Sequence, residues 1–241
     1  MNIGILQCDD VAPELQPRHG NYPDMIQTLL LAADPRTHFT VYACHQGETP
    51  SSTDAHDGWI TTGSKCSAND DFDWIRTLSG FMRLLWQADK PLVGICFGHQ
   101  LMARAMGGQV ARSPMGWGLG AYATTVQEKQ PWMSPWYSED LQLLASHQDQ
   151  VSELPPGGQI LAGSSFCPIY MMQVGRHFLG IQGHPEFTRA YVSDLANFRR
   201  DRIGAERVLA ARHSLKLAVH DQLLAHWILN FIARAKSGQQ G

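Results

Sequence analysis

A chain of 241 residues can bury a sizeable core, and its 19 Lys and Arg against 22 Asp and Glu leave a net charge of −3 with no basic stripe, so nucleic acid is not an expected partner. The five cysteines (Cys8, Cys44, Cys66, Cys96, Cys167) are scattered, odd in number and free of Cys-x-x-Cys pairing, which excludes an obvious disulfide framework or zinc ribbon and fits a reducing cytoplasm. No run of about 20 apolar residues predicts a membrane span, and the eleven histidines form neither His-x-x-x-His nor His-Glu-x-x-His, so no metal is expected.

The chain opens on a strand-like segment, Asn2–Leu6, rather than on a basic leader followed by a long apolar stretch, so secretion is not expected. Ile3–Cys8 reads as a first buried strand, Asp9–Pro23 as a polar loop, and Met25–Ala33 as a helix. Phe39–Ala43 is a second strand. A loop rich in Thr, Ser, Asp and Pro, Gln46–Asp57, leads to a third strand at Gly58–Ser64. Trp74, Ile75, Leu78, Phe81, Met82 and Leu85 form an apolar helical face within Phe72–Ala88. Strands alternating with helices predict an α/β fold with a mainly parallel central sheet in a three-layer sandwich, and catalytic groups gather at the carboxyl ends of such strands.

The next segment is the most informative. Leu92, Val93 and Ile95 read as a buried strand, and Leu101, Met102, Ala105 and Met106 as a helix stopped by Gly107 and Gly108. Cys96 stands at the corner between them, with Gly94 and Gly98 two positions to either side, so that strand and helix can approach across a tight turn. A thiol there faces the positive end of the helix dipole, which favours thiolate, and the following backbone N–H can meet a developing oxyanion. A buried core cysteine is the competing explanation; the glycine spacing and the polar His99-Gln100 pair weigh against it.

Beyond Gly108 the pattern changes to short alternating segments, at Gln109–Arg112, Gly120–Val126, Leu141–Ala145, Gln159–Ala162, Ile169–Val174 and His177–Ile181. These predict an antiparallel layer with turns at Pro155–Gly158 and Gly175. Gln130–Tyr137 is a loop whose aromatics are expected to pack locally. From Thr188 to about Lys236 the chain reads as two helices parted near Arg202–Gly204, with a loose tail at Ser237–Gly241. No repeat or interdomain linker is visible, and the whole of 1–241 is expected to form one domain.

His184 and Glu186 follow the last strand with Pro185 between them. Residues i and i+2 of an extended segment face the same way, and proline limits the wobble, so one short piece of chain can present an imidazole beside a carboxylate. A cysteine nucleophile needs a base, and the base needs a partner that holds its tautomer. Cys96, His184 and Glu186 supply those three groups.

Gly94-Ile-Cys-Phe-Gly-His-Gln100 followed late in the chain by His184-Pro-Glu186 resembles the class I glutamine amidotransferases, with their flavodoxin-like α/β fold, and in particular stand-alone proteins like the glutaminase domain of GMP synthase. The resemblance extends to Thr62–Ser67, where the family has a glycine-rich oxyanion strand, and to Ser146-His-Gln-Asp-Gln-Val151. It implies Cys96 as nucleophile, His184 as acid and base, and Glu186 as its orienting carboxylate. It places the oxyanion hole at the backbone N–H of Phe97 and of Ser64 or Gly63. It gives Gln100, Ser146, His147 and Gln148 to the two charged ends of a glutamyl substrate. Two departures stand out: Gly63-Ser-Lys65 replaces the frequent Gly-Gly-Pro, and Gln182-Gly-His replaces the frequent Gln-Phe-His, which is expected to widen the pocket.

The chemistry implied is attack of the Cys96 thiolate on a γ-glutamyl amide, release of amine, and hydrolysis of the thioester, with no metal or organic cofactor. The amine decides between readings. In one the protein is a stand-alone γ-glutamyl hydrolase acting on glutamine or a γ-glutamyl conjugate. In the other it is a glutaminase delivering ammonia to a synthase, which must be a separate polypeptide because the sequence carries no Walker-type loop. A non-catalytic regulatory domain is a third reading, disfavoured by the presence of all three reactive groups.

Overall fold

Runs of apolar residues buried on both sides make the centre of this molecule a sheet. In the computed structural model, which describes residues 1–237, the strands are β1 (Asn2–Leu6), β2 (His38–Tyr42), β3 (Gly58–Thr61), β4 (Leu92–Ile95), β5 (Gln109–Arg112), β6 (Gly118–Val126), β7 (Asp140–His147), β8 (Asp149–Glu153), β9 (Gly158–Gly163), β10 (Met171–Val174) and β11 (Phe178–Ile181). The helices are α1 (Gln16–His19), α2 (Tyr22–Ala33), α3 (Asp73–Gln87), α4 (Phe97–Ala105), α5 (Arg189–Phe198), α6 (Arg200–Ile203), α7 (Ala205–Ser214) and α8 (Asp221–Ser237). Of the expected loose tail Ser237–Gly241, Ser237 ends α8 and the rest lies outside the described residues.

Nine strands form one sheet in the order β2-β1-β3-β4-β11-β10-β9-β6-β7, while β5 and β8 pair separately. From β2 to β11 every neighbour is parallel, and from β11 to β7 every neighbour is antiparallel. The antiparallel strands therefore continue the parallel sheet rather than forming a layer of their own. Their alternation has a positional consequence: the carboxyl end of β7 and the start of β6 arrive at the same edge as the carboxyl ends of β3, β4 and β11.

Period-two alternation sends each strand's side chains into two cores. Ile3, Ile5, Val93, Ile95, Leu179 and Ile181 meet α2 and α8 through Ile26, Leu30, Leu224, Trp227 and Ile228. Leu6, Trp59, Leu92 and Phe178 meet α3 and α4 through Leu78, Phe81, Met82, Leu101 and Met102. A third cluster, under α5 and α7, packs Tyr191, Val192, Leu195 and Val208 on Leu119, Ala121 and Leu144. This is the expected α/β sandwich.

Where elements differ from the sequence reading, local chemistry explains it. Asn21 and Asp24 form a reciprocal capping box, so α2 starts at Tyr22, ahead of the apolar repeat that announces it. The strand β8 went unread because Asp149 and Glu153 mask its alternation. Gly204, at φ 94°, parts α6 from α7 near the expected break. A second, unexpected break precedes α8: the His220 N–H donates to the Gln142 carbonyl (2.8 Å) and the Gln142 N–H to His220 Nδ1 (3.1 Å), so the link satisfies the exposed edge of β7 instead of continuing a helix. In the aromatic loop Trp136 stacks on Trp227 of α8 with ring centroids 5.8 Å apart, and the Trp227 indole donates to the Pro135 carbonyl (2.9 Å).

Candidate active site

Cys96 occupies the turn between β4 and α4 at φ 50° and ψ −100°, outside the regions a residue with a side chain ordinarily adopts. Two glycines make the turn feasible. A Cβ on Gly94 would lie 2.6 Å from the Gly98 carbonyl oxygen, and one on Gly98 would collide with the Thr61 hydroxyl. The Cys96 N–H donates to the Ile181 carbonyl (2.8 Å), fastening the turn to β11.

β11 also delivers the imidazole. The His184 N–H donates to the Leu144 carbonyl on β7 (2.7 Å), and His184 Nδ1 lies 2.7 Å from Glu186 Oε1, with both side chains almost fully buried. Phe187 lies flat on the imidazole, ring centroids 3.8 Å apart and planes 4° from parallel. Cys96 lies beside the same ring, close enough for its sulfur to bear on the imidazole. Burial works against a charged imidazole, but the Glu186 carboxylate and then Cys96 outweigh it, and the pKa of His184 is raised to about 10. The structure thus brings the three sequence-identified groups into one chain: thiol, imidazole, carboxylate.

The loop after β3 supplies the facing wall. A Cβ on Gly63 would lie 2.9 Å from His184 Cε1, so only glycine lets the imidazole sit there. The Asp9 carboxylate accepts from both the Lys65 N–H and Lys65 Nζ, each at 2.8 Å, and Ser64 Oγ accepts from the Cys66 N–H at 3.1 Å. Among the described residues neither the Phe97 nor the Ser64 N–H is paired with a protein acceptor, which leaves both available beside Cys96.

Ser64, Cys96, Phe97, Gln100, Ser146, His147 and Gln148 line one cleft of about 190 Å³, with Gly63, His184 and Glu186 outside its wall. The Gln100 amide nitrogen donates to the Asp149 carbonyl (2.7 Å) and to Gln182 Oε1 (3.1 Å), so its carbonyl oxygen is what remains for a ligand. Ser146 Oγ accepts from Arg199 (3.0 Å), and the Gln148 carbonyl accepts from the Ser113 N–H (2.8 Å). His147 Nδ1 lies 3.3 Å from the Asp149 carbonyl; burial, with His184 nearby, pushes its pKa down to about 4, so it is a neutral group.

The sequence reading missed four participants. Asp9 anchors the Ser64 loop, and its position directly after β1 at the carboxyl edge of the sheet was the available signal. Gln182, wholly buried, donates to Cys96 Sγ (3.5 Å). Phe187 stacks on His184 but follows it by three residues, outside the quoted motif. Tyr170 corrects the expectation of a wider pocket: its hydroxyl and Leu143 occupy the space a side chain at Gly183 would fill.

The nine-stranded sheet with its flanking helices is a flavodoxin-like α/β fold. The sequence model of the family described as glutamine amidotransferase class-I matches residues 44–193, and the chain belongs to that family of enzymes. It is 34% identical over 201 residues, 81% of this chain and 76% of the relative, to gamma-glutamyl peptidase 4 of Arabidopsis thaliana. It is 42% identical over 97 residues, 40% of this chain and 52% of the relative, to a glutamine-hydrolyzing GMP synthase subunit from Methanoculleus marisnigri. Among solved structures a glutamine amido transferase from Methylobacillus flagellatus superposes with TM-score 0.75 at 25% identity, covering 98% of this chain and 94% of that one.

Proposed function

We propose that this protein hydrolyses a γ-glutamyl amide bond through a γ-glutamyl thioester on Cys96. The observation that carries the reading is the buried Cys96–His184–Glu186 chain at the carboxyl edge of the sheet, opening on a cleft with two unpaired backbone N–H groups. The raised pKa of His184 makes its imidazole the acceptor for the Cys96 proton as sulfur becomes the nucleophile. The thiolate attacks the amide carbon, and the N–H groups of Phe97 and Ser64 receive the oxyanion, each such donor contributing about 3–4 kcal/mol in comparable acyl transfer. Collapse breaks the C–N bond, and His184 gives its proton to the leaving amine. Water then attacks the thioester while His184 takes a proton from it, releasing glutamate and the thiolate. Glu186 holds the tautomer and stabilises the imidazolium. Gln100, Ser146, His147 and Gln148 bind the glutamyl end.

A peptidase-like substrate, an amino acid or peptide linked through its amine, is supported by the extent of the match to gamma-glutamyl peptidase 4. The second reading, a glutaminase handing ammonia to a separate synthase subunit, draws on the shorter match to the GMP synthase protein. We take the chain to act as one domain without a metal, organic cofactor or nucleic acid. Its five free thiols favour the reducing cytoplasm, and no helix among the described residues is long and apolar enough to cross a membrane. The test is a substrate panel of glutamine, γ-glutamyl dipeptides and γ-glutamyl polyamines with released amine measured on the purified protein. Turnover by the protein alone, lost in Cys96→Ala, is expected; turnover that waits for a second protein establishes the ammonia-delivering reading instead.

A further inference from the structure

The cleft carries more positive charge than a glutamyl group can neutralise. Four basic side chains line it, Lys65, Arg112, Arg199 and Arg202, against two acidic ones, Asp70 and Asp149. Lys65 is closed off by Asp9 (2.8 Å), Arg112 reaches toward Asp149 (3.8 Å), and Arg199 donates to the Ser146 hydroxyl (3.0 Å). Among the described residues Arg202 has no carboxylate partner. It lies instead over the ring of Trp117, 5.0 Å from the centroid, and Trp117 lines the same cleft. The glutamyl end of any substrate is a zwitterion, with an ammonium for its carboxylate, so it leaves this excess in place.

Stacking has a directional consequence. A guanidinium lying on an aromatic face keeps its N–H donors around its rim, where they match the two oxygens of a carboxylate. The platform is itself fastened: Arg207 of α7 donates to the Trp117 carbonyl and to the Met115 carbonyl (3.0 Å), and the Ser113 N–H ties the other end of the loop to Gln148. Arg202 and Arg207 both lie beyond residues 44–193, the part of the chain that the family sequence model matches. Both converge on the cleft from the helical end of the chain.

We propose that Arg202, stacked on Trp117 and held there through Arg207, is a specificity-determining residue that recognises a second carboxylate of the substrate, that of an amino acid released as the amine. This rests on the γ-glutamyl hydrolase reading above. A ligand with that group brings a net negative charge into a cleft of net positive charge, and the charge-assisted pair forms at its mouth.

The test uses two substrates that differ by one carboxylate, γ-glutamylalanine and γ-glutamylethylamine, on the full chain. Wild type is expected to favour γ-glutamylalanine in kcat/KM. Arg202→Ala should lower the ratio between the two substrates about tenfold, through a higher KM for γ-glutamylalanine, as loss of one charge-assisted pair implies. Arg202→Lys should restore part of the ratio. Trp117→Ala and Arg207→Ala, with melting curves to verify folding, should lower the ratio in the same direction. An unchanged ratio in Arg202→Ala, or equal losses on both substrates, overturns the assignment of Arg202 while leaving the hydrolase reading standing. Wild type that hydrolyses neither compound alone overturns the hydrolase reading and the assignment with it.

Discussion

Glu186 is the residue on which the charge balance of the site turns. Its Oε1 meets His184, and its Oε2 is buried with no partner among the described residues, so its charge is directed at the imidazole. Glu186→Gln keeps the shape and removes that charge. It should lower kcat on the order of 10²–10⁴-fold, as the loss of a tautomer-holding carboxylate does in related triads. The pH sign follows from the raised His184 pKa. A group whose pKa rises on folding, here from 6.5 to about 10, contributes stability fully below pH 6.5 and loses it as pH climbs toward 10. Urea midpoints across that range should show wild type losing its advantage over Glu186→Gln as pH rises; parallel curves would contradict the charge assignment. The thiols give a second check. Burial pushes Cys8 well up and Cys44 and Cys167 to about 12, while Cys66, raised less, is the most exposed of the five. Brief iodoacetamide treatment followed by mass mapping should label Cys96 first, and first labelling of Cys66 would show that exposure rather than the site governs reactivity.

At the scale of elements, the site is a meeting of strand ends. The β4–α4 turn holds sulfur, the end of β11 holds imidazole and carboxylate, and the loop after β3 holds the second N–H. That loop is tied down by Asp9 through the Lys65 N–H and ammonium. Asp9→Ala should lower kcat about 10–100-fold with a smaller change in melting temperature, because it frees the loop without opening a core. Unchanged kcat would separate Asp9 from the site. The turn was legible in sequence because glycines at fixed offsets and an apolar run state a geometry locally. So was the His184–Glu186 pair, since two residues apart on an extended segment means one face. Gln182 and Phe187 were not legible, because each acts through a partner far away in sequence or off the motif, and Asp9 offered only its place after β1, its partner Lys65 being far along the chain. The antiparallel strands were seen as strands, but their joining the parallel sheet depends on β11 pairing with β4, which no local pattern records.

Across the whole molecule, α8 closes one face of the sheet, with Trp227 buried between Trp132 and Trp136 of the aromatic loop. Trp227→Ala should cost about 3–5 kcal/mol of stability. Turnover per folded molecule should stay near wild type, since none of Trp132, Trp136 and Trp227 lines the cleft; denaturation curves and active-site titration separate the two quantities. The α/β alternation was readable along the first half of the chain, where period and turn signals agree. The helical end was read too simply, because its last break serves the edge of β7 rather than any helix-stopping residue. These parts converge to place Cys96 where it can carry an acyl group. Rapid acid quench of the protein turning over a γ-glutamyl substrate, followed by peptide mass mapping, tests that directly. The expected result is one glutamyl group on Cys96, accumulating before steady state and absent in Cys96→Ala. Turnover without any acyl group on Cys96, or persisting in that variant, would contradict the account.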